Sequence, residues 1–147
     1  MRLFIDTSAL AKRYVAEPGS EELERLFSSL VSEVFISTPA LVEFGSALGR
    51  KMKNREIGRT QAGQAMREFE KDWQSVFVRI PVSEALAESA ASLALSLGLK
   101  GADAVHLASA QAAGIDLFVA SDRPLSEAAR KIGLKTYDPE SGPFQEL

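Results

Sequence analysis

The sequence predicts an α/β protein, namely a three-layer α/β/α sandwich around a central parallel sheet of four to five strands. Short apolar runs alternate with longer amphipathic segments along the chain, and this alternation is typical of strands joined by helical crossovers into a parallel sheet. The 147 residues are 46% hydrophobic and 25% charged, and this length matches the about 100–150 residues of a common domain. Because no repeat or linker interrupts the pattern, we expect a single domain over residues 1–147.

The predicted strands are short, and the predicted helices are bounded by caps and helix breakers. The strands are expected at residues 3–5, 34–36, 76–80, 117–120 and 135–137. The helices are expected at residues 7–14, 20–31, 40–53, 60–74, 83–98, 102–113 and 124–132. Thr7 or Ser8 is the expected cap of the first helix, and Thr38 followed by Pro39 marks the start of the third. Residues 138–147 contain two prolines and are expected to form a loose C-terminal tail.

The composition excludes several classes of site. The chain has no cysteine, which excludes disulfides, thiolate zinc sites, iron–sulfur clusters and a cysteine nucleophile. Its single histidine excludes any site that needs two imidazoles from one chain. The charge of Asp6 follows only three apolar residues, and no uncharged stretch approaches the about 20 residues of a membrane span. We therefore expect a cytoplasmic protein without a secretory signal or a membrane segment.

Four carboxylates occupy positions from which they could share one pocket. Asp6 and Asp122 come at or just after the ends of predicted strands, where open α/β sheets form their ligand sites. Glu43 falls on the core-facing stripe of its helix, where an unpaired carboxylate is costly. Asp103 lies in the first turn of an alanine-rich helix. Each acid also has a local explanation, as a cap, a turn residue, an ion-pair partner of lysine or arginine, or a favourable charge at a helix N-terminus.

Together, the four acids predict a site for a divalent cation. Crowded carboxylates repel one another, which raises their pKa values unless a cation balances the charge. Oxygen ligands suit Mg²⁺ or Mn²⁺ better than zinc, and such a cluster can activate water for attack on a phosphodiester. The single histidine, His106, lies one turn after Asp103 and is interpreted as a partly buried, hydrogen-bonded residue rather than as a base.

A basic segment in the middle of the chain indicates an anionic substrate. Residues 50–80 carry eight basic and four acidic side chains, although the whole chain has a net charge of -3. The candidate contacts to a polyanion are Arg50, Lys51, Lys53 and Arg55. The alternative is a solvated helix end, because cations are favourable near a helix C-terminus.

The residues alone leave two other functions open. An aspartate-based phosphotransfer domain needs a lysine on a late strand, for which Lys135 is poorly placed. A phosphatase of the haloacid dehalogenase type needs a second acid at the position that Ser8 occupies. A non-catalytic α/β binding module would use the same acids only as helix caps.

Four segments resemble the PIN-domain family and, within it, the VapC-type toxins of toxin–antitoxin pairs. They are residues 4–10 (FIDTSAL), 39–43 (PALVE), 101–108 (GADAVHLA) and 119–125 (VASDRPL), in the order and spacing of that family. The resemblance implies a PIN-like fold and a metal-dependent endoribonuclease. The ligands of Mg²⁺ or Mn²⁺ that it implies are Asp6, Glu43, Asp103 and Asp122.

The same resemblance implies supporting residues and partners. It places Ser8 and Ser121 at the edge of the metal site, where they orient water or carboxylates, and it gives His106 a structural role. It makes RNA the substrate that the basic segment would hold. It also implies a homodimer and a small antitoxin protein whose tail blocks the acidic pocket.

Overall fold

The centre of the fold is a five-stranded sheet in which every neighbouring pair of strands is parallel. The computed structural model describes residues 1–29 and 31–145. The strands are β1 (Arg2–Ile5), β2 (Glu33–Ser37), β3 (Phe77–Ile80), β4 (Leu117–Val119) and β5 (Thr136–Tyr137). Their spatial order is β3-β2-β1-β4-β5, so the chain starts in the middle of the sheet and builds one half before the other. The strand order reverses between β1 and β4, where open α/β sheets form their ligand crevice.

In the described part of the chain, seven α-helices flank the sheet. They are α1 (Thr7–Leu10), α2 (Ser20–Phe27), α3 (Pro39–Lys53), α4 (Arg59–Ser75), α5 (Glu84–Leu97), α6 (Gly101–Ala113) and α7 (Arg123–Lys131). Two 3-10 turns, Ala11–Arg13 and Pro139–Ser141, follow α1 and β5. None of the described helices combines the length with the apolar character that a membrane span requires.

Apolar side chains pack on both faces of the sheet, which confirms the predicted three-layer sandwich. Along β1, Leu3 belongs to one core layer and Phe4 to the other, as the two-residue period of a strand requires. The first layer includes Phe44 of α3 and Phe69 of α4, whose ring centroids are 4.7 Å apart. In the second layer, Phe4 stacks on Phe118 with centroids 5.5 Å apart. Close packing on both sides fixes the strand ends that carry the acids.

Most differences from the predicted elements concern their ends. The cap of α1 is Asp6, whose Oδ2 accepts a hydrogen bond from the backbone N–H of Ser8, so the prediction that Thr7 or Ser8 caps this helix is wrong. Thr38 precedes Pro39 at the start of α3 as expected, but its side chain makes no capping hydrogen bond. An aspartate after a strand can thus cap a helix and also take part in a ligand site, since capping uses only one of its two carboxylate oxygens.

Helix α2 ends at Phe27, four residues before the predicted end at residue 31. The hydroxyls of Ser28 and Ser29 donate to the backbone carbonyls of Glu24 and Leu26. Such bonds compete with continuation of the helix, which accounts for the early stop.

The segment after β5 makes specific contacts as far as residue 144, in contrast to the loose tail that its prolines suggested. Asp138 caps the turn at Pro139–Ser141, and its Oδ1 also accepts a hydrogen bond from Ser121 Oγ at 2.8 Å. The hydroxyl of Tyr137 donates to the carbonyl of Gly142 at 2.6 Å, and the ring of Phe144 packs edge-on against Tyr137. Residues 146 and 147 of the expected tail lie outside the described residues.

Candidate active site

A cavity of about 420 Å³ opens at the carboxyl edge of the sheet, and all four predicted acids line it. Asp6 follows β1, Glu43 lies one turn into α3, Asp103 lies in the first turn of α6, and Asp122 precedes α7. The fold therefore collects carboxylates from four separate segments. Asp6 and Glu43 are called the inner acids below, and Asp103 and Asp122 the outer acids.

Asp6 is almost completely buried, with 4% of its surface exposed. Its backbone N–H donates to the carbonyl of Val119 at 2.9 Å, which ties it to the end of β4. Its Oδ2 accepts hydrogen bonds from the backbone N–H and the hydroxyl of Ser8 at 3.2 and 2.5 Å. Burial, assisted by the charge of Glu43, raises the pKa of Asp6, although His106 and Ser8 act in the opposite direction.

Glu43 is held by two donors on one oxygen. Its Oε1 accepts hydrogen bonds from Thr7 Oγ1 at 2.8 Å and from Nε2 of His106. Burial alone would raise the pKa of Glu43, but the hydrogen bond and charge of His106, together with the Thr7 hydroxyl, lower it overall. The expectation that crowding raises the pKa of every acid is therefore wrong for Glu43. Its ion-pair partner among the described residues is the imidazole of His106 instead of a lysine or an arginine.

His106 is completely buried beneath the inner acids. Its Nε2 faces Glu43 and lies 3.6 Å from Oδ1 of Asp6, and its Nδ1 lies 2.5 Å from Oγ of Ser37 at the end of β2. Burial disfavours the charged ring, yet Glu43 and Asp6 outweigh this effect and raise the pKa of His106. The predicted hydrogen bonding of His106 is confirmed, and the ring is completely instead of partly buried.

The outer acids are held differently from the inner ones. Oδ1 of Asp122 accepts a hydrogen bond from the N–H of Leu125 at 3.0 Å and caps α7. Asp103 is half-buried and accepts no hydrogen bond from any residue that the structure describes. Burial, together with repulsion by Asp122 and Asp6, raises the pKa of Asp103 to about 6. The expected repulsion between carboxylates is thus present at Asp103.

The two serines expected at the edge of the site have different roles. Ser8 Oγ donates to Asp6 and accepts a hydrogen bond from the backbone N–H of Ser121 at 3.0 Å. The Ser121 hydroxyl turns away from the acids and donates to Asp138. Ser121 therefore supports Asp6 through its backbone and Ser8, because its own hydroxyl is engaged by the segment after β5.

Only the first part of the basic segment reaches the acidic cavity. Arg50 and Lys51 line the acidic cavity, and Lys51 Nζ lies 3.0 Å from Oε2 of Glu17. Lys53 and Arg55 are exposed and are not among the described residues that line this cavity. Lys53 borders a separate groove between α3 and α4. The helical period explains the division, since Arg50 lies two turns after Glu43 on the same face of α3.

Sequence reasoning overlooked residues that line the cavity and residues that lie behind it. Lys100, directly before α6, lines the cavity beside the acids. Ser37 ends β2 next to β1, so the strand-end rule that singled out Asp6 would also have found it. Thr7 was assigned only to a cap, and its hydrogen bond to Glu43 joins residues 36 positions apart, a distance at which no local pattern indicates a contact.

A sequence model of the PIN domain matches residues 3–131. This chain belongs to the PIN-domain family. Two curated relatives from Mycobacterium tuberculosis, named ribonuclease VapC45 and ribonuclease VapC49, are each 30% identical to it over 135 residues. These alignments cover 90% of this chain and 92% of each relative.

Solved structures have the same fold. VapC20 of Mycobacterium tuberculosis, described as a sarcin–ricin loop cleaving toxin, is similar with a TM-score of 0.69 and 25% identity, over 86% of this chain and 94% of VapC20. A DNA-bound VapBC from Salmonella typhimurium is similar with a TM-score of 0.68 and 16% identity, over 95% of this chain and 98% of that chain. The expected PIN-like architecture is confirmed by these similarities.

Proposed function

We propose that this chain is a metal-dependent endoribonuclease that acts as the toxin of a toxin–antitoxin pair. The observation that carries the proposal is the convergence of four carboxylates on one cavity of a PIN domain. The relatives named ribonuclease VapC, and the sarcin–ricin loop cleaving toxin VapC20, support the same function.

The chemistry of the cavity fits a hard divalent cation. Its acidic donors are carboxylate oxygens, which Mg²⁺ and Mn²⁺ prefer as ligands. One ligand-type atom from each of Asp6, Glu43 and His106 lies within 4.8 Å of the others, so the two carboxylates of this group are close enough to hold one ion. When bound, the ion supplies Lewis-acid catalysis for the addition of water across a phosphodiester bond. The proposed metal ligands, which are also the proposed catalytic residues, are Asp6, Glu43, Asp103 and Asp122.

Cations at the rim of the cavity are the proposed RNA contacts. Arg50, Lys51 and Lys100 line the cavity together with the acids, so phosphates beside the scissile bond can lie against them. Lys53 and Arg55 are exposed further along the chain and would contact only RNA that extends beyond the cavity. Binding should weaken with salt, because each phosphate that is neutralised releases counterions.

The proposed partner is a small antitoxin, and the proposed oligomer is a homodimer. The similar VapBC from Salmonella typhimurium supports the assembly with an antitoxin. We propose residues 1–147 as a single domain that carries this activity, and we place the activity in the cytoplasm because RNA is its substrate.

Cleavage of RNA by the purified protein tests the proposal. We expect cleavage with Mg²⁺ or Mn²⁺, no cleavage in excess EDTA, and no cleavage by Asp6→Asn. Expression of the protein alone should arrest growth, and Asp6→Asn should relieve the arrest. Cleavage that persists in EDTA would refute the metal-dependent mechanism. A protein that binds neither Mg²⁺ nor Mn²⁺ in calorimetry would instead be a binding module whose acids serve as caps.

A further inference from the structure

Each inner acid has one engaged oxygen and one available oxygen. Oδ2 of Asp6 accepts both hydrogen bonds from Ser8, and Oε1 of Glu43 accepts those of Thr7 and His106. Oδ1 of Asp6 and Oε2 of Glu43 accept no hydrogen bond from any described residue. Among the described residues, no fully buried polar side-chain atom lacks a partner. These two oxygens therefore each keep some accessible surface, and both residues line the cavity.

Both ring nitrogens of His106 are already engaged. Nε2 donates to Glu43, and Nδ1 is hydrogen-bonded to Ser37 Oγ at 2.5 Å. The ring has no exposed surface. A nitrogen that ligates a metal must direct a lone pair at the ion, which the bond from Nε2 to Glu43 prevents. The carboxylate oxygens are also the harder donors, and hard cations prefer them.

Ser37, His106 and Glu43 thus form a chain of side-chain contacts from the end of β2, through α6, to α3. Thr7 completes it from α1, on the same oxygen of Glu43. Partners of this kind orient the ligands of a metal site without touching the ion.

We propose that His106 is a positioning residue, which with Ser37 and Thr7 fixes Oε1 of Glu43 so that Oε2 is presented to the cation, and that His106 is not itself a ligand. The proposal rests on the proposed metal-dependent function and assigns a role within it to residues buried behind the acids.

Two amide variants of His106 test the positioning role through Mn²⁺ affinity, measured by calorimetry. In His106→Gln, the side chain is long enough for its amide nitrogen to replace Nε2 as a donor to Glu43. In His106→Asn, the side chain is shorter, and its amide nitrogen reaches only the position of Nδ1. We expect Mn²⁺ affinity within about threefold of the unmodified protein for Gln and a loss of about 10- to 100-fold for Asn. Equal losses in both variants, or no loss in either, would overturn the proposal.

Ser37→Ala provides a variant that keeps the ring in place. It removes only the partner of Nδ1, and we expect it to weaken Mn²⁺ binding. Ser109→Ala is the matched control. Ser109 lies on α6 and is completely buried, as Ser37 is, but its hydroxyl donates to the backbone carbonyl of Val105 in its own helix. A loss of affinity in the control as large as in Ser37→Ala would show that the effect comes from the packing of α6, against the proposal.

Electron spin echo measurements on bound Mn²⁺ decide whether His106 is a ligand. Because the chain contains one histidine, any imidazole nitrogen coupling can come only from His106. We expect no directly coordinated imidazole nitrogen. A coupling of that kind, removed by selective labelling of histidine with a different nitrogen isotope, would overturn the proposal.

A measurement without metal separates this proposal from the proposed function. In the metal-free protein, the single imidazole should show a slowly exchanging Nε2–H proton by NMR. Glu43→Gln should shift this signal, and Asp103→Asn should leave it nearly unchanged. If the protein binds no Mn²⁺ but shows this pattern, the metal-dependent function fails while the contact that positions Glu43 stands. If Glu43→Gln leaves the signal unchanged, the positioning role is refuted whatever the activity.

Discussion

Glu43 and Asp103 line the same cavity and carry the same charge, yet the fold treats them in opposite ways. Glu43 receives hydrogen bonds from Thr7 and His106, which lower its pKa, whereas Asp103 receives none from the described residues and its pKa is raised to about 6. The inner side of the site is therefore part of the hydrogen-bonded structure of the domain. On the outer side, Asp103 holds a charge that no hydrogen bond from the described residues balances, as expected where a cation is to bind.

The largest predicted effect is on RNA cleavage. Here we expect the inner and the outer acids to be equally necessary, because catalysis needs both. We expect Glu43→Gln and Asp103→Asn each to reduce RNA cleavage by more than the about 10- to 100-fold typical of losing a residue behind a metal ligand. Glu127→Gln is the control, since Glu127 is an exposed acid of α7 whose one ion-pair partner among the described residues is Arg123. Initial rates of cleavage at saturating Mg²⁺ measure the effect. Full activity of Asp103→Asn would remove Asp103 from the site.

The second prediction concerns the free energy of unfolding without metal, which should differ between substitutions of the inner Glu43 and the outer Asp103. Glu43→Gln removes the charged acceptor of the buried His106, so we expect a loss of about 1–2 kcal/mol in the free energy of unfolding. This corresponds to a fall in melting temperature of about 2–8 °C. Thermal unfolding in EDTA provides the measurement. An unchanged or higher melting temperature would mean that the contacts of Glu43 do not stabilise the fold, and the contrast with Asp103 would disappear.

The third prediction is that Asp103→Asn raises the free energy of unfolding, opposite to Glu43→Gln, and that this gain depends on pH. Because the pKa of Asp103 is raised from 3.8 to about 6, the folded state binds more protons than the unfolded state between these values. The stability of the unmodified protein therefore falls as pH rises through this window, and Asp103→Asn removes the fall. Asp103 is partly exposed, so screening by solvent limits the gain at pH 7 to less than about 1 kcal/mol.

Denaturant unfolding of the metal-free proteins at pH 4 and pH 7 tests this sign. The two proteins should be nearly equal at pH 4, and Asp103→Asn should be the more stable at pH 7. The contribution of Glu43 to stability should have the reverse pH dependence. Its lowered pKa means that its contribution is present above its ordinary value of 4.5 and is lost as pH falls through the lowered value. An advantage of Asp103→Asn that is equal at both pH values would argue against a raised pKa for Asp103.

The smallest predicted effect concerns the rim cations. Lys51 lines the cavity and Lys53 does not, although they are two residues apart on α3. We expect Lys51→Ala to reduce the slope of log affinity for single-stranded RNA against log salt by about 0.7, the value for one lost phosphate contact. Lys53→Ala, of equal charge change, should alter the slope less. Fluorescence titrations in EDTA avoid cleavage during the measurement. Equal slopes for the two variants would favour the interpretation of the basic segment as a solvated helix end.

The architecture could be predicted from local patterns, and the errors are instructive. Every strand was found, because short apolar runs bounded by turns are a local signal. The cap of α1 was assigned to Thr7 or Ser8, with a cap as the alternative role of Asp6, because the sequence shows which residues can cap a helix but not which of them does. The ordered segment after β5 was missed because its contacts, such as Asp138 with Ser121, join residues from separate elements.

The candidate site was predicted in its acids but not in their surroundings. Asp6 and Asp122 follow strand ends and Glu43 interrupts an apolar stripe, so each stands out against its neighbours. Lys100 carries no comparable signal, since one exposed lysine is common in any α/β protein, and Ser37 shares the strand-end position of Asp6 but not its charge.

By itself, the sequence determined the order of strands and helices and the placement of carboxylates at the carboxyl edge of the sheet, because hydrophobic period and strand ends depend on neighbouring residues. Only the tertiary structure decided which donor meets which oxygen, because Thr7 and Glu43 are 36 positions apart and Ser37 and His106 are 69 positions apart. The opposite pKa shifts of Glu43 and Asp103 follow from those contacts, since burial, charge and hydrogen bonds act through distance in space and not along the chain.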